Sequence, residues 1–303
     1  MSTRTPEMLP PTQSRSWDQL TFRERVAHRP RVYFGKAILL IIMTFFAILF
    51  ALPFLWMVST SVKAPTEVWT MPPQFLPSSV QWNNYVEPWG LLQFGVYYRN
   101  TVTIVVFSMI GTLLSCSLVA FGFARLRFPL RNFWFVVLLA TMMLPGHVTM
   151  IPVYLGYSVL GWVNTLLPLI VPSFFGGAFS IFLLRQFMMT IPTELDDAAR
   201  IDGAGFLGIY SWIMLPLIRP ALGVVAIFTF TDRWSDFMGP LIYLNSPKWF
   251  TISLGLRLIN SVGDTYIQYT MAMTIVSLIP VLLVFFLAQR YFIQGIVVSG
   301  IKG

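Results

Sequence analysis

Residues 193–216, TELDDAARIDGAGFLGIYSWIMLP, form a polar interval between long apolar runs, and the reading of the chain turns on why that interval exists. Pro192 cannot extend a helix from upstream, and Thr193 is a residue type that caps the first free amides of a helix. Glu194, Asp196 and Asp197 set negative charge against the positive N-terminal end of the helix dipole. Arg200 suits the last turn, and Gly203 supplies the left-handed residue on which helices commonly end. The spacing predicts a self-contained helix from Thr193 to Gly203. Ala198 and Ala199 keep part of its surface low, so that another protein's backbone can approach. A helix of about ten residues does not persist in water without packing, which points to contact with a soluble partner.

Of the 303 residues, 56% are hydrophobic and 11% are charged, and the mean hydropathy is +0.72. That balance belongs to an integral membrane protein whose solvent is the lipid bilayer. The formal net charge of +8 would suggest nucleic acid in a soluble protein. Here the arginines gather between apolar runs, as orientation signals do, and nucleic acid is set aside as a partner. The single cysteine, Cys116, cannot form an intrachain disulfide and reads as a small packing residue.

Run lengths then predict an all-α membrane protein with six transmembrane helices. At about 1.5 Å per residue, roughly twenty apolar residues cross the hydrocarbon core. The six runs are 37–59, 101–124, 133–155, 166–184, 221–231 and 270–288. The third is interrupted near Pro145 and Pro152, the fourth carries Pro168 and Pro172, and the fifth is cut short by Asp232, Arg233 and Asp236. Residues 1–36 hold seven basic residues, Arg4 to Lys36, against Glu7, Asp18 and Glu24, and read as a cytoplasmic N-terminal tail. A transit peptide is the alternative there, although the acids argue against it. Arg125, Arg127 and Arg131 in one short loop, and Arg185 beside the polar helix, share the compartment of the N-terminus by the positive-inside rule. Both termini are then cytoplasmic. The expected division is a tail at 1–36, a six-span transmembrane domain at 37–290 with the polar loop 193–216 between spans four and five, and a cytoplasmic C-terminal tail at 291–303.

Catalytic and metal-binding signatures are missing from the sequence. His28 and His147 are far apart, no HExxH occurs, and no Gly-rich loop ends in Gly-Lys-Ser or Gly-Lys-Thr, so neither catalytic nor metal residues are assigned. The chain therefore has no P-loop with which to bind ATP. His147 reads as an interfacial hydrogen-bonding residue.

The spacing within the polar interval carries more. From Asp197, Ala198 and Ala199 there are three residues to Gly203, nine more to Ile213, and one more before Leu215 and Pro216. This resembles the EAA loop in the membrane subunits of binding-protein-dependent ABC importers, with the pattern EAA, three residues, Gly, nine residues, Ile, one residue, Leu-Pro. Asp197 stands where that family usually has Glu, one methylene shorter with the charge retained. The stretches SVKAPTEVWTMPPQFLPSSVQWNNY (61–85), RWSDFMGPLIYL (233–244) and SGIKG (299–303) look like the carbohydrate-uptake branch. They are most similar to the second permease subunit of maltose-type importers.

That resemblance implies a multi-pass permease subunit of the prokaryotic cell (inner) membrane, forming half of a translocation pathway for a sugar or sugar-like solute. It implies a second homologous permease as heterodimer partner, a cytoplasmic ABC ATPase dimer that carries the ATP and Mg, and an extracytoplasmic solute-binding protein. Glu194, Asp196, Asp197, Ala198, Ala199, Arg200, Asp202, Gly203, Leu215 and Pro216 become ATPase-coupling residues, and Ser299, Gly300 and Lys302 an ATPase-contacting tail. Asp232, Trp234 and Asp236 are candidates for the substrate pathway, because charges at membrane depth usually face a water-filled path or one another. The competing reading ends span five early and leaves Asp232 and Arg233 as an interfacial ion pair. Trp234, Tyr243 and Trp249 could stack on sugar faces or anchor the chain at the interface.

Alternatives are a permease for a glycerol phosphodiester or polyol, and an ion-coupled secondary transporter. A secondary transporter would place several ionisable groups at mid-membrane, and spans one, two, four and six have none. An intramembrane enzyme would need a nucleophile with a base, or a metal set, at depth. A signalling or scaffold protein leaves the loop spacing unexplained.

Overall fold

The structure, a computed structural model, describes residues 30–91, 93–261 and 266–299, and every regular element among them is helical. The helices of eight residues or more are α1 (Pro30–Ser61), α2 (Phe94–Arg125), α3 (Arg131–Ala140), α4 (Gly146–Val159), α5 (Ala178–Met189), α6 (Glu194–Ile201), α7 (Arg219–Ser235), α8 (Ile252–Ser261) and α9 (Ile267–Ser299). In hydrocarbon a backbone must satisfy its own amides and carbonyls, and long uncharged runs can do so only as helices.

Four helices are long and apolar enough to cross a membrane: Phe34–Ser61, Phe94–Arg125, Leu167–Met189 and Ile267–Leu287. Two bent pairs bring the number to six if each is one span. Arg131–Met143 joins Gly146–Val159 at 99°, and Phe206–Leu217 joins Arg219–Ser235 at 76°. The break in the first pair falls at Leu144 and Pro145, whereas Pro152 lies inside α4 and interrupts nothing, contrary to the sequence reading. The second pair corrects the short fifth run. α7 continues through Asp232 and Arg233 to Ser235, so these charges belong to the helix and do not follow its end. At the C-terminal end α9 continues to Ser299, so residues 291–299 are helical and continuous with the last membrane-length helix. Residues 1–29, Gly300 and Lys302 lie outside the described residues, and with them most of the expected N-terminal tail and most of the expected ATPase-contacting tail.

The chain divides after Trp56 into two compact units. Of the first, the described part belongs to α1, with Phe34, Leu40, Phe46 and Phe50 among its exposed apolar side chains. A helix that is hydrophobic all round is made for burial or for lipid.

The second unit is organised around α2, which contributes to all three of its apolar clusters. At one end Cys116, Ala120 and Phe121 meet Ile181, Leu184 and Met188 of α5, Ala199 of α6, and Ile209, Tyr210 and Met214 beyond it. At the other end Phe94, Tyr97 and Val105 meet Trp234 of α7, Ile252 and Ile259 of α8, and Ala272 and Met273 of α9. Ile104 packs with Leu169, Leu244 and Leu254.

The polar side chains of α2 close the hydrogen bonds that its broken neighbours cannot make. Pro168 sits in the first turn of the short helix Leu167–Ile170, where its missing amide costs nothing, and Pro172 opens the 3₁₀ stretch Val171–Phe175, since a proline has no amide to continue the α-helical ladder. Ser108 Oγ donates to Leu169 O at 3.1 Å, Ser115 Oγ donates to Ser173 O at 3.0 Å, and Gly177 N donates to Cys116 Sγ at 3.2 Å. Near the other end, Asn100 Nδ2 donates to the carbonyls of Lys248 and Phe250, and Thr101 Oγ1 accepts the amide of Ile252 at the start of α8.

Close approach is built in at Gly255, where α8 lies against α2. An added Cβ there would sit 2.2 Å from Cδ2 of the buried Tyr97. We expect Gly255→Ala to destabilise the fold by about 1–3 kcal/mol through overpacking, read as a lower unfolding temperature of the detergent-solubilised protein. An unchanged temperature would show that Tyr97 can move aside.

Candidate functional site

The polar interval folds into α6, one residue shorter at the start and two at the end than the spacing suggested. Thr193 does not cap it through its side chain, and the reason is local: its φ of −73° and ψ of −20° are already helical, whereas a capping hydroxyl needs an extended backbone behind it. The Thr193 carbonyl instead accepts from the amides of Asp196 and Asp197, at 3.0 and 3.1 Å. Glu194, Asp196 and Asp197 do occupy the first turn, and Arg200 the last. Gly203 is left-handed, with φ of +84°, and the helix closes on it. The amide of Gly203 donates to Arg200 O at 3.0 Å and that of Ala204 to Ala199 O at 2.9 Å, the paired bonds of a Schellman cap.

α6 has two chemically distinct faces. Asp196 and Ala199, three residues apart, are buried, and Ala199 packs into the cluster formed with α2 and α5. The sequence reading had both on a surface presented to a partner; the structure turns them inward, because Ala199 shares a cluster with Ile209, Tyr210 and Met214 of the following segment and Asp196 meets Arg125 at the end of α2. Glu194, Asp197, Ala198, Arg200, Asp202 and Gly203 remain exposed. Asp197 Oδ1 and Arg200 Nη1 form a solvent-exposed pair at 3.2 Å, of the kind that contributes little to stability. Beside them Ile201 is 88% exposed and Trp212 84%, with Leu195, Phe206 and Leu207 also open. This acidic and apolar surface is continuous along one short segment of chain.

Arg125, read from the sequence as an orientation signal, is joined to Asp196. Its Nε lies 2.9 Å from Asp196 Oδ2, with both side chains about 5–6% exposed, an electrostatic contact off the hydrogen-bond axis. Its Nη2 donates to Ile191 O at 2.7 Å, just beyond the end of α5. No periodicity in the sequence marks this pairing, because 70 residues of chain, three helices among them, separate the partners. Around it Arg125, Arg127, Arg131, Arg200, Thr193, Asp196, Asp197 and Phe206 line a polar groove of about 570 Å³.

The segment after α6 anchors it from behind. Ile209–Met214 is a π-helical turn, a rare geometry often found at functional positions, and it buries Ile209, Tyr210 and Met214. Tyr210 OH and Ser117 Oγ of α2 are 2.8 Å apart. Leu215 packs on the same cluster, and Pro216 lies in the last turn before the chain bends into α7. Both therefore sit in the segment that carries α6's position into the next helix, at a distance from its exposed face.

The candidate pathway residues separate. Asp232 is exposed, with Oδ2 3.6 Å from Arg233 Nε, and both line a groove of about 600 Å³ with Thr112, Ser173, Phe179, Ser180, Phe228 and Thr229. Phe179 and Phe228 meet edge to face at 5.7 Å. Trp234 points the other way: it is buried, and its Nε1 donates to Ser277 O of α9 at 3.0 Å. Asp236 Oδ1 accepts the amide of Gly239 at 3.0 Å, capping the short helix Met238–Tyr243. Trp234 and Asp236 are thus packing and capping residues outside this groove. Sequence reasoning missed Phe179, Phe228 and the Ser and Thr hydroxyls, which carry no local signal in an apolar run. Among the described residues no group of His, Cys, Asp and Glu could hold a metal ion.

Comparison with known proteins joins these observations. Residues 116–298 match the family of binding-protein-dependent transport system inner membrane components. The chain belongs to this family. The matched residues of the permease contain α6 and, Thr112 apart, the residues named along the Asp232 groove. The arabinooligosaccharides transport system permease protein AraQ of Halalkalibacterium halodurans is 33% identical, over 86% of this chain and 94% of its own length. The galactooligosaccharides transport system permease protein GanQ of Bacillus subtilis is 30% identical over 87% and 94%. The sn-glycerol-3-phosphate transport system permease protein UgpE of Pectobacterium atrosepticum is 31% identical over 77% and 85%. In fold, the permease is similar to a chain of a bacterial ABC transporter involved in the import of the acidic polysaccharide alginate. The TM-score is 0.78 at 23% identity, covering 87% of this chain and 98% of that one.

The Schellman cap can be tested directly. Nothing lies within 4 Å of a Cβ placed on Gly203, so a substitution there meets backbone strain and no clash. Gly203→Val should cost about 1–3 kcal/mol locally, and Gly203→Asn much less, since Asn visits the left-handed region. Hydrogen exchange of the α6 amides should accelerate in the first variant and stay near wild type in the second; equal protection in both would remove the cap's role.

Proposed function

We propose that this permease crosses the cell (inner) membrane six times, with both termini cytoplasmic, and forms half of a translocation pathway. Its exposed α6 surface docks on a cytoplasmic ABC ATPase dimer that binds the ATP and Mg. A second, homologous permease supplies the other half as a heterodimer, and an extracytoplasmic binding protein delivers the solute. The observation that carries this reading is α6 itself, a firmly capped short helix with an acidic and apolar outer face that the rest of the described chain leaves uncovered. The clustering of Arg125, Arg127, Arg131 and Arg200 around it supports the cytoplasmic side. Alternating access is then a shift of helices pushed through α6.

The solute we propose is an oligosaccharide, following the names of the arabinooligosaccharide and galactooligosaccharide relatives. The groove at Asp232 suits it: an ion pair of zero net charge, several hydroxyls, and the Phe179 and Phe228 rings for apolar sugar faces. The glycerol-3-phosphate relative supports the second reading, a small phosphorylated polyol, for which Arg233 would be the anion partner.

In the reconstituted complex, Asp197→Lys should abolish stimulation of ATP hydrolysis by the loaded binding protein while leaving the membrane helices inserted; retained stimulation would sink the docking role of α6. Uptake of labelled arabinooligosaccharides, galactooligosaccharides and sn-glycerol-3-phosphate into proteoliposomes should separate the two solute classes, with the oligosaccharides carried. The purified permease alone should show no ATP binding in equilibrium dialysis, and measurable affinity would overturn the division of labour.

A further inference from the structure

We infer that the Arg125 guanidinium is a three-way joint that fixes α6 to α2, so that displacement of α6 is delivered to α2 directly. The proposal rests on the coupling reading of α6 given above. Arg125 closes α2, and a cation there suits the helix dipole. The same guanidinium reaches Asp196 in the first turn of α6 and the carbonyl of Ile191 in the connection from α5. One side chain thus ties three helix ends together. Through the backbone alone α6 is joined to α5 on one side and to the bent segment before α7 on the other. The Arg125 contact adds a link to α2, the helix shared by all three apolar clusters of the unit.

The geometry of the pair argues for registry over stability. Removing two charges from water is costly unless every polar atom is satisfied, and apolar replacements of similar size are often as stable or more so. Here the second oxygen of Asp196, Oδ1, is buried without a hydrogen-bond partner, and the Arg125 Nε approach is off-axis. A pair built for stability would fill those bonds. What it does specify is position: an apolar contact would let α6 slide or rotate on α2, whereas the ion pair with the Ile191 bond admits one register. Ala199 beside Asp196 and the bond between Tyr210 and Ser117 reinforce that register from the same face. Arg125 and Asp196 are positioning residues and touch neither solute nor nucleotide.

The test uses the full complex with the partner permease and ATPase, in nucleotide-free and ATP–vanadate-trapped states. Spin labels are placed at the exposed positions Leu118 of α2 and Thr193 at the start of α6, in a chain whose buried Cys116 is replaced by Ser. The wild-type pair should give one narrow distance distribution, unchanged on trapping. Arg125→Met with Asp196→Leu should retain the unfolding temperature yet broaden or split that distribution on trapping, and lower binding-protein-stimulated ATP hydrolysis roughly tenfold, the size of an ordinary coupling free energy. An unchanged distribution would overturn the joint. Asp196→Asn keeps the side-chain shape and serves if the apolar pair does not assemble, and unchanged distances there overturn the joint equally. If Asp197→Lys leaves stimulation intact, the coupling reading fails, while the label distances still decide whether α6 and α2 are locked.

Discussion

Interrupted helices expose backbone groups that lipid cannot hydrogen-bond, and the way this permease satisfies them governs its architecture. Pro172 marks a change from α to 3₁₀ geometry, Pro145 stands at a bend of 99°, and the chain turns by 76° before α7. Each break would be expensive in a low-dielectric medium if its carbonyls and amides stayed unpaired. α2 answers part of that need with Asn100, Thr101, Ser108, Ser115 and Cys116, each set against a backbone group of a neighbouring segment. Because these bonds have fixed geometry, they also fix where the neighbours sit, and α2 becomes the reference for the segment leading into α5 and for the start of α8.

The same helix decides how the exposed site is presented. At its C-terminal end α2 holds Asp196 through Arg125, while Ala199 joins the cluster that α2 shares with Ile209, Tyr210 and Met214, and the opposite face of α6 stays open. A helix of eight residues is held in place by this packing and by its cap, since its own propensity cannot sustain it. The apolar side chains on the open face, Ile201, Phe206, Leu207 and Trp212, form the kind of patch that marks an interaction surface.

The groove at Asp232 illustrates a different principle. Along α7, consecutive residues face different neighbours, so Asp232 and Arg233 line the groove while Trp234 is committed to Ser277. Asp236, two residues on, is spent on the amide of Gly239. A cluster of charged and aromatic residues that reads as one site in sequence resolves into three roles, because helical periodicity turns each side chain by about 100° from the last.

The amino-acid sequence by itself determined the membrane class, the placement of most helices, the polar helix with its glycine stop, and the family, since all of these reside in local composition and in fixed spacing along the chain. It also marked the break at Pro145, where a missing amide forces an ending. It did not reach the inward turn of Asp196 and Ala199, the helical geometry that denies Thr193 its capping role, the continuation of α7 and α9, or the partnership of Arg125 with Asp196. Those depend on which helix lies against which. Only the tertiary structure brings together groups distant in sequence, and the burial of Asp196 against Arg125 is a property of the pair that neither segment carries alone.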